Sequence, residues 1–109
     1  MKIIYNNIIP FKGYKAMCVF PFIFVRKDAH SLTVNDINHE KIHGKQQKET
    51  LFLLFYLLYG IEWIIKVVYY HNINTAYKNV SFEREAYDNQ GDITYLDKRK
   101  LFSWVKYIL

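Results

Sequence analysis

The chain has one cysteine, Cys18, so neither an intrachain disulfide framework nor an all-cysteine zinc site can be built from it. Such cysteine usage suits a reducing compartment. Only 4 glycines and 2 prolines occur in 109 residues, which leaves little turn chemistry for a sandwich or barrel and favours long helices. No run of five or six basic residues exists. The densest cluster is Lys98-Arg99-Lys100, and the rest of the positive charge behind the net +5 is scattered, which argues against a nucleic-acid partner. The opening MKIIYNNIIPF is broken by Tyr5, Asn6 and Asn7 and is followed by no small-x-small site, so no secretory leader is expected. The expected location is cytoplasmic, with membrane association as the alternative.

Apolar side chains, by contrast, are plentiful. Hydrophobic residues make up 51% of the chain and aromatics 18%, a composition that disordered chains do not have. The length suits a single domain, residues 1–109. So many large side chains exceed what a small core holds, and part of them must meet a cleft or another body.

The pattern predicts an α+β fold, mainly helical behind an N-terminal hairpin or small sheet. Lys2 to Ile9 reads as a short strand whose two asparagines form a turn or bulge. Lys15 to Val25 is richer in β-branched and aromatic residues, but Pro21 cannot donate to a ladder and makes it an edge strand, a bulged strand or two short ones. Thr33 and Asp36 fit a capping box that opens a helix at Val34, with Ile37, Ile42, Leu51 and Leu54 as its apolar side. A second helix is expected from about Ser81, with that hydroxyl as cap and Glu83 in its first turn. A third is expected from Tyr95 to the end, on a stripe of Leu101, Trp104, Val105 and Ile108.

Chemistry concentrates in Asn38-His39-Glu40-Lys41-Ile42-His43-Gly44-Lys45-Gln46-Gln47. His39-Glu40-x-x-His43 is an HExxH motif on a predicted helix. Four residues are about one turn, so both imidazoles leave the same face and can share one zinc ion, with Glu40 beside them as general base for a nucleophilic water. A catalytic zinc usually takes a third protein ligand. The extended HExxHxxGxxH pattern is absent, because Gln46 and Glu49 stand where its glycine and histidine would be. The leading third ligand is Glu83, which shares a face with the small Ala86. Glu85 and His71 are alternatives, and His30 and Glu62 are weaker ones. Gln46 and Gln47 are candidates to support the site, with Gln47 on the ligand face and a hydrogen bond to a ligand imidazole expected. Tyr77, Tyr87 and His71 are candidates for site support or for an oxyanion donor. Lys41, Lys45 and Lys48 read as a solvated stripe, and Cys18 as a small buried hydrophobe.

His39-Glu40-Lys41-Ile42-His43, followed by Glu83-Arg84-Glu85-Ala86, resembles the gluzincin metallopeptidases, in which HExxH precedes a glutamate ligand on a later helix. The Asn38–Gln47 segment is also similar to short bacterial proteins built on an Asn-His-Glu-x-x-His-x-x-Gln-Gln helix. The resemblance implies a minimal zincin-like hydrolase with Zn2+ on His39, His43 and Glu83, and Glu40 as catalytic base. It also implies a peptide or protein substrate lying along an edge strand at Met17, Cys18, Val19 and Phe20. The position after Ala86, often acidic in related proteases, is Tyr87 here. Other readings of the same residues are a non-catalytic zinc-containing interaction module and a small helical membrane protein with an accidental HExxH.

Leu51 to Tyr70 is long enough to span a bilayer, but it contains Glu62 and Lys66, each costing roughly 2.5–3.5 kcal/mol near a bilayer centre. A crossing would also separate His39 and His43 from Glu83 by roughly 30 Å, so a crossing and the zinc site are mutually exclusive. An unbroken helix from His43 to Tyr70 would run about 40 Å, more than the roughly 33 Å that residues 71–80 can return. A break is therefore required, first at Gly60 and second at Glu49-Thr50. The apolar face of this segment is then core, homodimer interface or peripheral membrane contact.

Overall fold

The computed structural model describes residues 2–10, 14–28 and 32–108. Three strands open the chain: β1 (Lys2–Asn6), β2 (Ala16–Val19) and β3 (Phe22–Arg26). They form one sheet in the order β1-β3-β2, with β1 parallel to β3 and β2 antiparallel to it. The first strand stops at Asn6, short of Ile9, because the Asn6 side-chain oxygen accepts from the amides of Ile8 and Ile9 and turns the chain. Pro21 lies in the turn between β2 and β3, so its missing N–H costs no ladder bond. Lys15–Val25 is thus two short strands, with β2 on the sheet edge.

Helix α1 (Val34–Glu49) begins at the expected capping box: Thr33 Oγ1 accepts from the Asp36 amide while Asp36 accepts from the Thr33 amide. Its packing reverses the usual amphipathic logic. The buried face carries Asn38, His39, Glu40, His43, Gln46 and Gln47, with Ile42 its one large aliphatic side chain. Of the expected apolar side only Ile42 is buried: Ile37 is half-buried, and Leu51 and Leu54 are exposed. Such burial is tolerable only where each polar group finds a partner.

The break falls at the second expected place. Thr50 closes α1, and Leu51 and Phe52 both take positive φ, 56° and 64°, before α2 (Leu53–Tyr70) starts. Two non-glycine residues in that region carry strain. The Phe52 amide bond to the Gln47 carbonyl (2.7 Å) and the Phe20–Phe52 ring contact offset it. Gly60 sits inside α2 with open space around it, and nothing there calls for a bend.

Residues 71–80, expected to be a plain return, contain α3 (Ile73–Asn79), which is capped by Asn72 through the Thr75 amide. Helix α4 (Ser81–Asn89) follows at once. Ser81 does not cap it: Glu62 reaches over from α2 and accepts from both the Ser81 amide and hydroxyl at 2.6 Å. The long C-terminal helix is not formed. A short α5 (Tyr95–Lys98) and a 3-10 segment (Ser103–Tyr107) stand in its place. Between them Arg99 is extended, which lets its guanidinium reach the buried carboxylates of Glu49 and Glu85.

Two apolar clusters hold the helices. Ile42, Ala86 and Tyr95 join α1, α4 and α5. Phe55, Val80 and Phe82, with Tyr59, Trp63 and Trp104 against them, join α2, α4 and the C-terminal segment. Phe55 is the single buried residue of α2, so most of Leu51–Tyr70 is not core.

Candidate metal centre

One turn of α1 and the first turn of α4 meet face to face. His39 Nε2 and His43 Nε2 lie 3.2 Å apart, and each is 3.1 Å from Glu83 Oε1. The three atoms form a nearly equilateral triangle of buried donors, a cluster that could hold a metal ion. A tetrahedral zinc ion with bonds of about 2.0–2.1 Å sets its ligand atoms roughly 3.3–3.4 Å apart. The triangle is within a few tenths of an ångström of that geometry.

Without a metal the convergence of two nitrogen lone pairs and a carboxylate needs a proton. Burial would lower the His43 pKa, but the Glu83 carboxylate beside it outweighs burial and raises it to about 9. Burial likewise would raise Glu83, yet both histidines hold it well below the usual carboxylate range. The site therefore selects for positive charge at its centre, whether proton or metal.

Each of the three side chains is held from behind. His43 Nδ1 faces Gln46 Oε1 at 2.7 Å. The Gln46 amide nitrogen donates to the Phe82 carbonyl and to Glu85 Oε1, so its oxygen must be the atom turned to His43. The proton then sits on Nδ1 and leaves Nε2 to ligate. His39 Nδ1 faces Gln90 Oε1 at 2.8 Å, and the Tyr87 ring packs edge-on against His39 with centroids 4.5 Å apart. The second Glu83 oxygen, Oε2, accepts from Tyr59 OH at 2.7 Å, which leaves Oε1 as the free ligand atom. Burial first, and Glu83 second, push the Tyr59 pKa far up, so it remains a neutral donor.

The rest of the motif fastens α1 to its neighbours. The Asn38 amide nitrogen lies within reach of the carbonyls of Asn89, Gln90 and Asp92, beyond the end of α4. Gln47 grips β2, donating to the Cys18 carbonyl and accepting from the Phe20 amide, both at 2.8 Å. Gln47 is thus a strand clamp, and its neighbour Gln46 supports the imidazole. Glu40 is buried, and burial raises its pKa against the opposing pull of His43 and His39; the Cys18 amide hydrogen-bonds to its carboxyl. Cys18 itself is buried, which, with Glu40 nearby, pushes its thiol up to about 12 and keeps it unreactive.

Glu40, His43 and Glu83 open into a cavity of about 290 Å³. Its remaining wall is largely apolar and aromatic, including Met17, Phe55, Tyr56, Trp63 and Tyr77. Burial, then Glu83, raises the Tyr77 pKa, and a hydrogen bond to Tyr87 adds to the effect, so its hydroxyl stays protonated at the cavity wall. The backbone of β2 offers less than an open edge: Gln47 and Glu40 already occupy groups of Cys18 and Phe20.

The other ligand candidates are elsewhere. Glu85 points to Arg99, Tyr95 and Gln46. His71 is exposed, closing α2 in a left-handed conformation. Glu62 caps α4, and His30 lies outside the described residues. Gln46, expected with Gln47 to support the site, does so through His43, whereas Tyr59 was not singled out by sequence reasoning. Tyr59 becomes a partner only through the chain reversal at Thr50–Phe52.

The chain matches no protein family, no curated protein and no solved structure. The likeness to gluzincins therefore rests on these residues and their arrangement.

Proposed function

We propose that the chain is a zinc-dependent peptide-bond hydrolase of minimal gluzincin type. The observation that carries this reading is a buried carboxyl, Glu40, lining the same cavity as His43 and Glu83, two corners of a triangle of zinc dimensions that His39 completes. His39 Nε2, His43 Nε2 and Glu83 Oε1 would hold the ion. A zinc ion bound there supplies Lewis acidity toward a carbonyl oxygen.

The chain's own groups do the proton work. Glu40 takes a proton from the attacking water onto its carboxylate and delivers it to the leaving amine nitrogen. Its burial raises proton affinity and so favours the accepting step. Tyr77 OH, kept protonated, is the candidate donor to the developing oxyanion. The aromatic wall at Phe55, Tyr56 and Trp63 suits a peptide with an apolar side chain beside the scissile bond. The test is hydrolysis of a library of such peptides by the wild type and by Glu40→Gln. Loss of about 100-fold or more in the variant, with zinc retained, is expected, and undiminished turnover would contradict the mechanism.

A second reading is a metal-stapled interaction module without turnover. It is favoured by the thinness of the core, in which α1 contributes mainly polar groups and a metal would join α1 to α4. It predicts bound zinc with no hydrolysis by either protein.

A further inference from the structure

Helix α2 presents an apolar face that the described residues leave exposed. At ~100° per residue, Leu54, Leu57, Leu58, Ile61, Ile65 and Val68 fall on one stripe, and all are exposed. By length and composition α2 could cross a membrane. Its two ionisable residues decide the face. Glu62 and Lys66 pair with each other and both turn inward, Glu62 to Ser81 and Lys66 to the Asn79 carbonyl at 2.7 Å. The outward stripe therefore carries no charge along all 18 residues.

We infer that this stripe docks on an anionic phospholipid bilayer, with α2 lying in the membrane plane. The inference does not depend on the metal reading. The inner side of α2 is fastened lengthwise by Phe55 to Phe82, Tyr59 to Glu83 and Lys66 to Asn79, so the helix cannot leave the body to cross lipid. The basic residues supply the charge complement. Exposed Lys45 and Lys48 border a hollow shared with Arg99 and Leu101, and exposed Lys100 adjoins Leu101 and Phe102 in sequence. Phe102 is tied to Glu49 at the α1–α2 junction, which sets this apolar knuckle and its lysines at one end of the helix. Snorkelling lysines beside apolar side chains are the pattern of in-plane membrane helices. A second copy is the competing occupant, and the test below separates the two.

The experiment is co-sedimentation of the full chain with phosphatidylcholine vesicles with and without phosphatidylglycerol. The wild type should pellet with the anionic vesicles, at least ~10-fold more tightly than with neutral ones, and about 0.5 M salt should weaken the binding. The double variant Leu57→Glu/Ile61→Glu, at exposed positions, should stay in solution with an unchanged circular dichroism spectrum. Lys48→Glu/Lys100→Glu should lose the preference for anionic lipid. Failure of the wild type to bind, or full binding by Leu57→Glu/Ile61→Glu, would overturn the inference. So would a lipid-independent dimer that this double variant dissociates.

Discussion

Gln46 Oε1 stands 2.7 Å from His43 Nδ1, and its orientation is not free, because Phe82 and Glu85 both take hydrogen bonds from its nitrogen. One glutamine thereby specifies which nitrogen of His43 carries the hydrogen and which is offered to a metal. Replacing it by methionine keeps the volume and removes that control. Gln46→Met is expected to weaken zinc binding about 10–100-fold, measured by competition with a chromogenic chelator.

Tyr59 reaches the site from a different helix and holds Glu83 by its second oxygen. Tyr59→Phe deletes only the hydroxyl. A hydrogen bond to a buried carboxylate is worth about 1.5–3 kcal/mol, so denaturant unfolding of the metal-free protein should show a loss of that order. Zinc affinity should fall as well, since Oε2 is then released to compete with Oε1.

The metal-free protein should lose stability as pH rises. The folded His43 pKa of about 9 lies above its ordinary 6.5, so its contribution is complete below about 6.5 and disappears as pH climbs through 9. Zinc reverses the sign, because the metal needs the neutral imidazole and displaces that proton. Thermal melts with chelator should therefore fall between about pH 6.5 and 9, whereas with zinc they should rise up to about pH 7 and then level off.

Arg99 is buried between Glu49 and Glu85. Arg99→Met leaves two carboxylates without their cation, and breaking a buried pair costs about 3–5 kcal/mol. The melting temperature should drop sharply. Glu49→Gln/Glu85→Gln/Arg99→Met, which removes all three charges, should recover part of the loss.

The sequence was most legible where the interaction is local. The Thr33 box, the one-turn spacing of His39 and His43, and the first-turn place of Glu83 all depend on residues a few positions apart. Glu83, 40 and 44 residues from the two histidines, was expected beside them only because zinc takes a third ligand, with Glu85 and His71 as alternatives. What could not be read depends on partners far along the chain. Ser81 looked like a cap until Glu62 took that role from 19 residues away. Tyr95–Ile108 has a helical stripe, yet Arg99 is drawn to two distant carboxylates and breaks it. Gly60 looked like the hinge by residue type, whereas the reversal at Leu51 and Phe52 is imposed by the packing of α2 back over α4.

The central claim is a single metal held by His39, His43 and Glu83. Elemental analysis of the purified chain, dialysed against zinc and then metal-free buffer, tests it directly. One zinc per chain is expected in the wild type and in Glu40→Gln, falling close to zero in His39→Ala, His43→Ala and Glu83→Ala, with Glu85→Ala retaining the ion. Absence of zinc from the wild type, or full occupancy after loss of Glu83, would contradict the account.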